Sequence, residues 1–177
     1  MTLTEALELA SSLGFETAAP LDVHTLKFLP EVRDMCAANR CRSYGHSWSC
    51  PPGCGSLEEI SAKCREYTWG ILVQTVGTRN DPFDFEAIER TEALHKQRFA
   101  CLAELLSARS SVYPMGSGAC TLCPSCTYPD APCRFPHKAH SSMEANGLFV
   151  SQVCKDNGIA YYYGPDSICF VACFLLK

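Results

Sequence analysis

The spacing of four cysteines constrains this chain more than any other feature: Cys120, Cys123, Cys126 and Cys133 lie in GACTLCPSCTYPDAPCRFP, a C-x2-C-x2-C-x6-C run. Three thiols three residues apart can wrap one side of a compact cube, and a fourth after a longer loop closes the opposite corner. The run therefore reads as a site for a four-iron, four-sulfide (4Fe-4S) cluster. Zinc competes, but its four-cysteine sites ordinarily use two separate C-x2-C knuckles around one tetrahedral ion. In some two-cluster chains the fourth cysteine serves the other cluster, and that alternative stays open for Cys133.

A second group precedes it. Cys36, Cys41, Cys50 and Cys54 form a C-x4-C-x8-C-x3-C pattern in MCAANRCRSYGHSWSCPPGCG. Pro51 and Pro52 stiffen the chain after Cys50 and remove two donors, while Gly45, Gly53 and Gly55 permit bends that aim other amides at sulfur. This group reads as a second 4Fe-4S site, with zinc again the competitor. Cys54 is the open corner: His46, Cys64 or a solvent molecule are the alternatives. An iron with an exchangeable position would be a Lewis acid, which is the route from carrier to enzyme.

Thirteen cysteines among 177 residues would suit a disulfide scaffold in a short secreted chain. Here the count is odd, and MTLTEALELASSLGF has neither a basic nor an apolar export region, so metal ligation in the cytoplasm is the expectation. The composition, 47% hydrophobic, is rich enough to build a core without cross-links. A net charge of -4 supplies no basic field for phosphates, so no nucleic acid is expected. The longest apolar run, Ile168 to Leu176, suits a buried strand and is too short for a membrane helix, so no membrane partner is expected.

Both cysteine segments, CAANRCRSYGHSWSCPP and GACTLCPSCTYPDAPCRFPHKAHSSMEANGLFV, resemble a prokaryotic family of predicted metal-binding proteins, domain of unknown function 2284. The similarity runs over nearly the whole chain. It implies metal binding and supports Cys36, Cys41, Cys50, Cys120, Cys123, Cys126 and Cys133 as ligands, leaving Cys54 and the chemistry open.

Capping boxes at Thr2/Glu5, Ser56/Glu59 and Ser141/Glu144 mark three helix starts, the last helix running to about Asn157. Pro20 to Gly55 lacks periodicity and reads as chain shaped by metal. WGILVQTV (69–76) reads as a central strand, Phe85 to Ala108 as a long helix and Ser111 to Met115 as a strand, together a right-handed βαβ crossover. Ile159 to Tyr163 and Ile168 to Leu176 read as a hairpin. The expected fold is one α/β or α+β iron-sulfur domain over residues 1–177, with a mixed sheet of about four strands and two cluster-bearing loops.

Other residues carry secondary expectations. Arg40, Arg42 and Arg134 adjoin proposed ligands and could tune a cluster. Arg134, His137, Lys138 and His140 precede the helix start at Ser141 and could hold an anion, against the plainer reading of a solvated loop. Tyr44, His46 and Trp48 could shield a cluster from water or line a pocket beside it. Of Tyr161, Tyr162 and Tyr163, at least one should be core. His95 reads as a core or boundary histidine, and Cys64, Cys101, Cys154, Cys169 and Cys173 as small hydrophobes.

Two 4Fe-4S clusters make electron transfer to a redox partner protein the leading expectation. A small reductase binding a small-molecule substrate at or beside the first cluster is the alternative, and a zinc-stabilised interaction module is the third. Association with a second copy of the chain is compatible with all three.

Overall fold

The run Trp69–Thr78 is apolar on both faces from Gly70 to Val73 and buried as far as Thr75, which requires cover on both sides of the strand it forms. In a computed structural model describing residues 1–177, that strand, β2, sits inside a four-stranded sheet. The other strands are β1 (Thr17–Leu21), β3 (Val112–Met115) and β4 (Ser167–Leu176), in the order β1-β2-β4-β3. β2 and β4 pair along ten residues each, from Trp69 opposite Leu176 to Thr78 opposite Ser167.

All three ladders are antiparallel, so the expected mixed sheet is corrected to an antiparallel one. The crossover is corrected as well. β2 and β3 both run antiparallel to β4 and so parallel to each other, but β4 lies between them. Residues Val171 to Leu176 of β4 are buried, and only an interior position gives that run cover and ladder bonds together. Prolines fall on the edge strands, Pro20 in β1 and Pro114 in β3, where a missing donor costs least. Pro20 is also why β1 escapes a reading by pattern.

Five α-helices flank the sheet: α1 (Leu3–Ser12), α2 (Pro30–Ala37), α3 (Leu57–Cys64), α4 (Phe85–Ser107) and α5 (Val150–Asp156). The caps expected at Thr2/Glu5 and Ser56/Glu59 form reciprocally, with Glu5 and Glu59 accepting from the cap amides at 2.6 and 2.7 Å. α2 falls where irregular chain was expected, opened by Pro30 in its first turn.

One face of the sheet, with Ile71, Val73, Ala172, Phe174 and Leu176, is covered by α1 and α4 through Ala6, Ala10, Leu102 and Leu106. The opposite face, with Leu72, Val171, Cys173 and Leu175, is covered by Ile60 and Cys64 of α3, Val153 and Cys154 of α5, and Met143 and Leu148. The second core also carries Cys54, so the first cysteine group rests directly on it.

Two expectations near the C-terminal side fail for identifiable reasons. No helix starts at Ser141. Ser142 caps a single turn by accepting from the Ala145 amide at 3.1 Å, and Gly147 at φ +82° ends it, its Cβ position filled by the Leu57 side chain. Helix begins only at Val150. The hairpin partner of β4 is not Ile159 to Tyr163, because β2 takes the whole ladder. Those residues run irregularly over the sheet, tied down by buried Gln74, which donates to the Ala160 carbonyl at 2.7 Å and accepts from the Tyr163 hydroxyl at 2.6 Å. All three tyrosines are exposed, contrary to the expectation that one is core.

Candidate metal centre

The first group is built by α2 and the turns between it and α3. Cys36 lies in the last turn of α2, and Arg33 one turn earlier shares its face. Asn39 and Arg42 adopt left-handed backbone, φ 51° and 60°, to bring Cys41 back toward the helix. The Asn39 side chain fixes that reversal by accepting from the Tyr44 amide at 3.1 Å. Gly45 donates to the Pro51 carbonyl at 2.8 Å, and Cys54 donates its amide to the Cys50 carbonyl at 3.0 Å.

Cys41 and Cys54 act on both Cys36 and Cys50. Burial pushes Cys36 up, Glu144 and the neighbours Cys41 and Cys54 add to the rise, and Arg33 opposes it. Burial likewise pushes up Cys50, opposed by the Ser49 and Ser47 hydroxyls, and Cys54, opposed by Arg33. Thiols held up in this way keep their protons in water and release them to solvent only when a cation binds the sulfur.

Cys54 acts on both Cys36 and Cys50, and its thiol donates toward the Ala145 carbonyl, 3.7 Å away. Its alternatives stand elsewhere. His46 lines a cavity belonging to the second group, and Cys64 is buried at the end of α3 against the core, where burial pushes its thiol up to about 12.

The second group follows β3. Cys120, Cys123, Cys126 and Cys133 all border one cavity of about 160 Å³, closed on another side by His46, Ser47 and Arg42 of the first loop. The loop is braced by its own polar groups. Thr127 donates to the Pro132 carbonyl at 2.9 Å, and Arg134 to the Ser125 carbonyl at 2.8 Å. The Phe135 amide donates to the Cys133 sulfur at 3.4 Å. At Cys126 burial raises the thiol, but the amides of Trp48, Tyr128 and Thr127 and the Ser47 hydroxyl together bring it below its ordinary value. Amides aimed at sulfur favour thiolate.

Three residues join the groups. Buried Ser47 acts on both Cys50 and Cys126, and its oxygen lies 3.1 Å from that of buried Ser49. Trp48 between them donates its indole N–H to the Ala131 carbonyl at 2.9 Å. Gly53 passes so close to the Ser47 carbonyl and the Tyr128 ring that a side chain has no room. The two cysteine loops are therefore one packed unit.

No three His, Cys, Asp or Glu side chains converge on a point that suits a single ion. Four thiolates on one zinc at about 2.3 Å would crowd to about 3.8 Å from each other. A cluster gives each thiolate its own iron, so its ligands ring a cavity, as the second group does. Beside the first group, one guanidinium nitrogen of Arg33, Nη1, is buried with no acceptor. A buried cationic donor without a partner fits an anionic, thiolate-bound group.

The other expected residues divide. Arg42 and Arg134 border the second cavity, while Arg40 is exposed. Lys138 is committed to Glu104 at 2.9 Å, and half-buried His140 stands edge-on to Phe99, its pKa lowered by burial. With no helix starting at Ser141, the expected anion cradle there has no helix end to build on. His95 is the core histidine anticipated, 1% exposed and 3.0 Å from the Thr75 hydroxyl. Cys64, Cys154 and Cys173 are buried, Cys169 partly so, but Cys101 is exposed. Two residues were missed: Arg33, legible only once α2 is recognised, and Glu144, read as a cap but acting on Cys36.

Comparison with curated proteins yields no match, and comparison with solved structures yields none. A family model described as predicted metal-binding protein, domain of unknown function 2284, matches residues 19–176. Both cysteine groups and the whole sheet except the first residues of β1 fall inside that span. The chain belongs to this family of predicted metal-binding proteins.

Proposed function

We propose that the protein binds two 4Fe-4S clusters, one through Cys36, Cys41, Cys50 and Cys54 and one through Cys120, Cys123, Cys126 and Cys133, and transfers electrons to a redox partner. The observation that carries this reading is the single cavity bordered by all four cysteines of the second run, with residues of the first loop in its wall. Two clusters whose ligand loops share Ser47 would lie close enough to exchange electrons. None of the thirteen cysteines is joined in a disulfide, which leaves all eight proposed ligands available. No helix is long and apolar enough to cross a membrane.

A second reading, a small-molecule reductase, draws on an open concavity of about 530 Å³ lined by Trp48, Pro129, Pro132, Pro136 and Cys133. It adjoins the second group, whereas the sequence favoured a substrate beside the first. Anaerobic iron and sulfide quantification with electron paramagnetic resonance tests the proposal. About eight irons and eight sulfides per chain, with signals from two reduced clusters, are expected for two such centres. Stoichiometric zinc without sulfide overturns it in favour of a zinc-stabilised interaction module.

A further inference from the structure

We infer that Arg33 is the counter-charge of the first centre, a positioning residue that donates to the group held by Cys36, Cys41, Cys50 and Cys54 and raises its reduction potential above that of the second. The inference rests on the two-cluster reading above.

Three observations converge on this side chain. Arg33 precedes Cys36 by one helical turn, so both leave the same face of α2. One arm of the guanidinium is anchored, Nη2 donating to the Gly55 carbonyl at 2.9 Å, immediately after Cys54. The other arm, Nη1, is shielded from solvent and has no acceptor. An arginine cannot shed its charge, so a buried arm left without an acceptor is costly unless a bound anion supplies one.

The second centre has no counterpart. Arg134 is exposed and spends Nη1 on the Ser125 carbonyl, and Arg42 is exposed.

One-electron reduction of a thiolate-bound cluster adds one negative charge, with no bond broken and no proton moved. A fixed cation attracts the reduced form more strongly than the oxidised one, and the potential rises. The two centres thus differ in potential because only one has a buried, preplaced cation.

The test is a dithionite titration followed by electron paramagnetic resonance on the full chain and on R33Q and R33K, with iron and sulfide measured on each. In R33Q the reduction equilibrium of one centre should fall at least tenfold, about 59 mV for a one-electron couple, while the other is unmoved. R33K, which keeps the charge but loses the fork, should shift that centre less. Repeating R33Q with Cys126→Ser, which leaves the first centre alone, should retain the shift. Should R33Q lose the iron of the first centre while R33K keeps it, the counter-charge role is supported by retention instead. An unmoved potential, equal shifts in both centres, equal effects of R33Q and R33K, or loss of the centre from both variants overturns the inference. Fewer than two clusters in the unaltered protein overturns the reading beneath it, and the two failures are told apart by the iron and sulfide counts.

Discussion

Trp48 stands edge-on to Tyr128, ring centres 4.9 Å apart and planes at 86°, so an aromatic side chain from the first cysteine loop is seated on one from the second. With the indole bond to Ala131, this contact latches two segments far apart in sequence. Trp48→Ala removes an edge contact and a hydrogen bond, together worth about 2 kcal/mol. Iron bound at the second group should be released faster to a chelator, with Trp48→Phe intermediate. Equal release rates in all three proteins would deny the latch any role.

Gly53 supplies the close approach that lets this latch shut. Gly53→Ala drives a methyl into the Ser47 carbonyl and the Tyr128 ring, both backed by buried or latched residues. The expected cost is about 1–3 kcal/mol of stability. Thermal unfolding should show it, and an unchanged midpoint would mean that the loops part without strain.

Cysteine replacements separate ligands from core. Cys126→Ser should halve bound iron, and so should Cys54→Ser. Cys64→Ala should leave iron unchanged while destabilising the fold, and exposed Cys101→Ser should do neither. Iron analysis with thermal melts reads all four. If Cys54→Ser binds as much iron as the parent, the fourth corner belongs to something other than that thiol.

His95 makes stability depend on pH. Burial, with Arg98 and Lys96 nearby, lowers its pKa from 6.5 to about 4, so the unfolded chain takes up a proton in that window while the folded chain refuses it. The contribution is complete above pH 6.5 and is lost as pH falls toward 4, in total about 3 kcal/mol. Denaturant titrations from pH 7 to 4 should show the decline, and His95→Gln should flatten it. A decline of equal size in the variant would assign it to other groups.

Sequence pattern located the elements better than their arrangement. The caps at Thr2 and Ser56 form as their spacing requires, yet the same signature at Ser141 produces no helix, because Gly147 must turn left-handed beneath Leu57. That conflict is between residues distant in sequence and has no local sign. The pairing of β2 with β4 is likewise long-range, and local reading paired β4 with the nearest apolar run instead. Both cysteine groups stand out in the sequence because their spacing is local, and both fall inside the span matched by the metal-binding family. Arg33 does not, since it precedes the first cysteine by one helical turn in a stretch whose prolines and poor periodicity disguised a helix.

With metal on the second cysteine run as proposed, the long β2–β4 ladder would also tie assembly of the molecule to metal. The second cysteine run lies on the stretch of chain that must double back before Ser167–Leu176 can reach Trp69–Thr78. Gathering four thiols shortens that excursion and lowers the entropic cost of closing it. A chain starved of metal would pair its two innermost strands more slowly, and a chain with those strands already joined would capture metal more readily.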